Sequence, residues 1–97
     1  MENKNLHLEI SEIIALTTQI NQAAAKKEYS VYLINGKKVS VKYIEGTNYP
    51  FLKIKYGRRK IAEIKVISGQ VYNWDIREII YIINEANSYP YSNYRNY

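Results

Sequence analysis

The chain has 97 residues, 46% of them hydrophobic and 24% charged, with a formal net charge of +5. That length supports one hydrophobic core, burying roughly two-thirds of the surface an unfolded chain exposes, and leaves little volume for a deep pocket. With no cysteine and a single histidine, His7, disulfides, thiol chemistry and thiolate metal sites are excluded, and no metal or other cofactor is expected.

No apolar run approaches the ~18 residues of a spanning helix. The start, Met1-Glu2-Asn3-Lys4-Asn5, lacks the basic and apolar regions of a signal peptide. These features predict a cytoplasmic protein with no membrane partner.

The first segment runs from about Leu6 to Lys27. Leu6, Ile10, Ile13, Thr17, Ile20 and Ala24 recur every three or four residues, one stripe of a helix. Leu6, Leu8 and Ile10 also alternate with His7 and Glu9 as a strand would, with Ser11 as a later helix cap, so the stretch Leu6–Ile10 is left open.

From Tyr29 the period falls to two. Tyr29, Val31 and Leu33 alternate with Ser30, Tyr32 and Ile34, and Val39, Val41 and Tyr43 alternate with Lys38, Ser40, Lys42 and Ile44. Asn35-Gly36 between the two runs is a strong hairpin signal. A two-residue loop would pair Ile34 with Lys37 and set Val31 against Ser40. A three-residue loop with Gly36 left-handed pairs Val31 with Val39 and Tyr29 with Val41. Because a one-residue slip inverts every side chain, the three-residue loop with a bulge is the one expected to build an apolar face.

After a loop over 45–50, a third strand places Leu52, Ile54 and Tyr56 on one side and Phe51, Lys53 and Lys55 on the other. Gly57-Arg58-Arg59 turns into a fourth, with Ala62, Ile64 and Val66 alternating with Ile61, Glu63, Lys65 and Ile67. The same reasoning pairs Tyr56 with Lys60, Ile54 with Ala62 and Lys53 with Glu63. Past Ser68-Gly69, Asn73 is placed as the cap of a second helix, with Asp75 and Glu78 near its positive end and Ile76, Ile79, Ile80 and Ile83 as its stripe.

These elements predict an α+β fold over 1–88: helix, four-stranded antiparallel meander, helix, in two layers with both helices on one face. The expected core is Ile10, Ile13, Thr17, Ile20, Val31, Leu33, Val39, Val41, Leu52, Ile54, Ile64, Val66, Ile76, Ile79, Ile80 and Ile83. Residues 89–97 form a tail with Tyr89, Tyr91, Tyr94 and Tyr97 and no periodic pattern.

No arrangement of nucleophile and base, carboxylate pair or phosphate loop is visible, so no catalytic residue is assigned and no enzyme is expected. Glu9 and Glu12 read as a solvated pair, and the four glycines each mark a separate turn. Charge is more informative. Between Lys37 and Lys65 nine basic residues face only Glu45 and Glu63, a net +7, while the remainder, with five basic and seven acidic residues, carries −2.

The outer sheet face is therefore the candidate site. Lys38, Lys42, Lys53, Lys55 and Lys65 would meet phosphates, with Arg58 and Arg59 at the turn, and Tyr32 and Phe51 would stack on bases at roughly 1–3 kcal/mol each. Lysine on an open face also serves solubility and discourages edge pairing. Exposed aromatics weigh against that plainer reading.

The element order resembles two nucleic-acid-binding architectures, the double-stranded RNA-binding domain and the single-strand binders built as four strands followed by a helix. Neither motif set is present; the final helix opens with Asn73-Trp74-Asp75 where the RNA-binding domain has a basic segment, so the likeness carries no function. The leading expectation is a nucleic-acid partner, single-stranded favoured. The alternative is a virus- or plasmid-encoded inhibitor of a host protein complex, in an anti-CRISPR manner, anchored by Tyr32, Phe51 and the tyrosine tail. A homodimer through the open sheet face is compatible with either.

Overall fold

The first helix begins where a glutamate pair closes its end. In the computed structural model, which describes residues 8–34 and 36–88, helix α1 spans Ile10–Lys26. Glu9 precedes it in extended conformation, and the Glu9 N–H donates to Glu12 Oε1 at 2.9 Å, satisfying one donor that the helix cannot. At the other end Lys27 turns left-handed, φ 57°, and the N–H groups of Lys27 and Glu28 both reach the Ala23 carbonyl. The open question over Leu6–Ile10 resolves to a helical start at Ile10; Leu6 and His7 lie outside the described residues.

Leu16, Ile20, Ala23 and Ala24 form the buried stripe of α1, with Ile13 packed at its margin. Ile10 and Thr17, both expected in the core, lie roughly 100–120° around the helix from Leu16, on the flank of that stripe, so Ile10 is exposed and Thr17 half-buried. Leu8 enters the core ahead of the cap instead, its N–H held by Asn84 Oδ1 at 2.8 Å.

Four strands follow, β1 (Tyr29–Ile34), β2 (Lys37–Ile44), β3 (Phe51–Tyr56) and β4 (Arg59–Lys65), in an antiparallel sheet of order β1-β2-β3-β4. The three-residue loop expected between the first two strands does not form. Ile34 pairs with Lys37 and Val31 with Ser40, the two-residue register. Asn35 lies outside the described residues, and Gly36 takes φ 78°, the left-handed conformation that a primed hairpin turn demands.

The correction inverts β1. Ile34 is only 2% exposed, whereas Val31 and Leu33, expected in the core, are 42% and 72% exposed. Tyr29 moves with them, and Tyr32 shares the face of its direct partner Val39. Turn chemistry has prevailed here over the larger apolar burial that the slipped register offers.

The turn between β3 and β4 is also two residues long, with Gly57 at φ 67° and Tyr56 paired with Arg59 rather than with Lys60. Here a bulge intervenes. Lys55 pairs with Lys60 and Ile54 with Ala62, leaving Ile61 as the extra residue. Beyond the bulge the expected pairs of Ile54 with Ala62 and Lys53 with Glu63 are both present.

After β4, Ile67 and Gln70 exchange both backbone hydrogen bonds around Ser68 and Gly69, at φ 53° and 76°. Helix α2 (Asn73–Ser88) follows. The Tyr72 carbonyl accepts from Asp75 and Ile76 N–H, so Asn73 is the first helical residue and not the cap. Ile76, Ile79 and Ile83 are buried and Ile80 packs beside them. Both helices contact the sheet, α1 against β1, β2 and β3 and α2 against β4, and the helices touch each other. Their buried side chains join Ile34, Val39, Val41, Leu52, Ile54, Tyr56, Ile64 and Val66 in one cluster. The tail 89–97 lies outside the described residues.

Two outcomes test this arrangement. Leu33→Ser should change stability by no more than about 0.5 kcal/mol, whereas Ile34→Ala should lose about 2–5 kcal/mol in urea unfolding; the slipped register demands the reverse order. The Tyr56 hydroxyl donates to Asn87 Oδ1 at 2.8 Å, and burial, aided by the charge of Glu12, holds its pKa above the ordinary 10.0. The folded state thus keeps a proton that the unfolded chain releases, so this contribution is intact below about pH 10 and disappears as pH climbs through the folded-state value. Tyr56→Phe should lose about 1 kcal/mol at neutral pH and show a shallower alkaline fall in melting temperature than the parent.

Candidate nucleic-acid interface

Alternation along the strands gathers the lysines. With Val39, Val41, Leu52 and Ile54 buried on one side, the intervening Lys38, Ser40, Lys42, Lys53 and Lys55 project from the other. Pairing then arranges them in rows across the sheet. One row reads Tyr29, Lys42, Lys53, Glu63; the next reads Val31, Ser40, Lys55, Lys60; another holds Ile44, Phe51 and Lys65. Tyr29, Ser40, Lys42, Lys53 and Lys55 line a shallow concavity on this face.

Lys42 stands directly opposite Lys53, and Lys55 directly opposite Lys60. Directly opposed Cα atoms lie about 5 Å apart in an antiparallel pair, and like charges there destabilise the sheet. Glu63, though opposite Lys53, bonds Lys60 at 2.9 Å instead. That exposed pair contributes little. Among the described residues no carboxylate pairs with Lys38, Lys42, Lys53 or Lys55.

Of the residues assigned from sequence, Lys38, Lys42, Lys53, Lys55, Lys65 and Phe51 share this face. Tyr32 does not; the two-residue hairpin register turns it to the side of Val39. Tyr29 replaces it, 62% exposed and beside Lys42. Arg58 occupies the second turn, while Arg59 pairs with Tyr56 and so falls on the opposite face. The bulge delivers Lys60 to the lysine face in its stead.

Sequence reasoning also missed Tyr49. Gly46 takes φ 67°, and a side chain there would collide with the Tyr49 carbonyl. The folded-back loop brings the Tyr49 ring within 4.5 Å of Lys65 Nζ, a cation–π contact. No periodic signal marks a loop residue of this kind.

A second aromatic group lies apart from the lysines. Tyr72 and Trp74 stack with centroids 4.4 Å apart at 12°, and Trp74 is 63% exposed. With Arg77 they border an open groove reaching Asn21 and Ala25 of α1. Tyr72 is likewise exposed.

Among the described residues no cluster of His, Asp and Glu could hold a metal ion, and no helix is long and apolar enough to cross a membrane. Set against known proteins, the chain matches no family model, no curated protein and no solved structure.

Proposed function

We propose that the protein is a non-catalytic binder of single-stranded nucleic acid in the cytoplasm, using the lysine-bearing sheet face. The reading takes both helices to cover the opposite face, leaving this one to the ligand. The observation that carries it is the row Tyr29–Lys42–Lys53. Two ammonium groups held opposite each other oppose folding, and a phosphate backbone laid between them relieves that repulsion while releasing counterions. Tyr29 on one side and Phe51 with Tyr49 on the other supply rings at the margins of the charge. Stacking on them is tolerant of sequence because every base has a π-face.

Fluorescence anisotropy with labelled single- and double-stranded DNA and RNA, at low and near-physiological salt, tests this. Saturable binding that favours single strands and weakens steeply with salt is the expected outcome. Tyr29→Ala should weaken it by roughly 1–3 kcal/mol, and Lys42→Glu with Lys53→Glu should abolish it. Lys42→Glu alone should bind less well yet fold about 0.2–1 kcal/mol more stably at low salt, since it alternates the charges along the row. Normal binding by the double variant would put the ligand elsewhere.

The Tyr72–Trp74 stack favours a second reading, an inhibitor that docks on a host protein complex. Tryptophan, tyrosine and arginine are the residues that dominate interface energetics, and these lie away from the lysines. On that reading a pull-down from host lysate recovers one stoichiometric protein that survives nuclease treatment and is lost with Trp74→Ala; loss on nuclease treatment counts against it.

A further inference from the structure

Among the described residues strand β1 is a margin of the sheet, with β2 as its neighbour. Which of its backbone groups face away from β2 follows from one hydrogen bond: Tyr43 N–H donates to the Glu28 carbonyl at 3.3 Å, continuing the β1–β2 ladder. Bonded and non-bonded pairs alternate in an antiparallel ladder. Residues 28, 30, 32 and 34 therefore bond toward β2, and Tyr29, Val31 and Leu33 turn their N–H and C=O groups outward. These same residues carry exposed apolar side chains, more exposed than that of Tyr32.

The two margins of the sheet differ in kind. β4 carries Arg59, Lys60, Glu63 and Lys65 and a bulge at Ile61, devices that prevent strand addition. β1, Tyr-Ser-Val-Tyr-Leu-Ile, has no charge, proline or bulge, while β2, β3 and β4 each carry two or more lysines or arginines. On a chain of net charge +5, β1 is the strand along which a second copy can approach without like charges meeting.

We infer that β1 pairs antiparallel with β1 of a second copy, Val31 opposite Val31 and Tyr29 opposite Leu33. The register follows from the outward groups. Centring the two-fold axis on Val31 engages all three outward residues of both copies, each pair exchanging both backbone bonds. Centring on Ser30 or Tyr32 leaves one residue of each copy unmatched. The chosen register also sets an aromatic side chain against an aliphatic one at both ends. The axis runs perpendicular to the sheet, so the lysine faces of the two copies become one continuous eight-stranded surface. A single strand pair buries less than the roughly 1,200–2,000 Å² of a standard stable interface, so the dimer is reversible. It does not depend on the nucleic-acid reading.

Sedimentation velocity on the nucleic-acid-free full chain tests it, across about a hundred-fold range of protein concentration. The mass should rise from 11.4 kDa toward twice that value. It should rise further at higher salt, which screens the repulsion between two basic copies, whereas salt weakens binding to nucleic acid. Val31→Lys should remain at one chain mass throughout while keeping the circular dichroism spectrum of the folded parent. Since the chain has no cysteine, Val31→Cys provides an independent readout; mild oxidation should link two copies through it, and Lys42→Cys should stay unlinked. A single chain mass at every concentration would overturn the inference, as would linkage through Lys42→Cys in place of Val31→Cys, the mark of a face-to-face dimer.

Discussion

Gln19 is buried where α1 packs over the first hairpin, and its Nε2 donates to two carbonyls, Ser30 at 3.3 Å and Val39 at 3.1 Å. Both belong to bonded pairs of the β1–β2 ladder, Ser30 with Val41 and Tyr32 with Val39. One amide therefore ties a helix to adjacent strands at a fixed offset. A slip of one residue would carry Ser30 out of reach and turn its carbonyl toward the free edge. A buried polar group of this kind adds little net energy, yet it discriminates strongly between arrangements that hydrophobic burial alone would leave close in energy.

Much of the lysine face depends on that offset. Strand side chains alternate without exception, so the parity of β1 decides which three of its residues lie beside Lys38, Ser40 and Lys42. With Gln19 and the two-residue turn in agreement, those neighbours are Leu33, Val31 and Tyr29. The second hairpin meets the same problem differently. Its turn also has two residues, but the extra Ile61 restores the alternation, so Ala62 and Ile64 face inward and Glu63 and Lys65 outward.

The order of elements, three of the strands and the stripe of α2 were legible because each rests on a repeat that spans several residues, whereas in α1 only Ile20 and Ala24 of the expected stripe are buried and Leu16, Gln19 and Ala23 complete it. The loop over 45–50 and the pairs of Ile54 with Ala62 and Lys53 with Glu63 were legible for the same reason. β1 was not. Both of its sides, Tyr29-Val31-Leu33 and Ser30-Tyr32-Ile34, carry apolar residues, and pattern alone ranks the wrong one first. What ranks them is a turn preference and a hydrogen bond from Gln19, which sits eleven positions before Ser30. The candidate site inherited that blind spot: Lys38 and Lys42 of β2 and Lys53 and Lys55 of β3 were assigned to the face they occupy, while Tyr32 took the place that belongs to Tyr29. Tyr49 depends on the backward fold of its loop around Gly46, and the stack of Tyr72 on Trp74 depends on a turn with two left-handed residues. Neither leaves a periodic trace.

Two asparagines near the end of α2 bear on how the chain assembles. Each strand pairs with its neighbours in sequence, across short loops, so the meander can zip together from its hairpins with little loss of loop entropy. Asn84 and Asn87 instead reach Leu8 and Tyr56, 76 and 31 positions away. Those contacts can form only after the sheet exists and α1 has settled against it. The amides of the last two turns of α2 are thus expected to gain protection from hydrogen exchange late and to surrender it early, reporting the parting of the two helix ends while the sheet beneath stays closed.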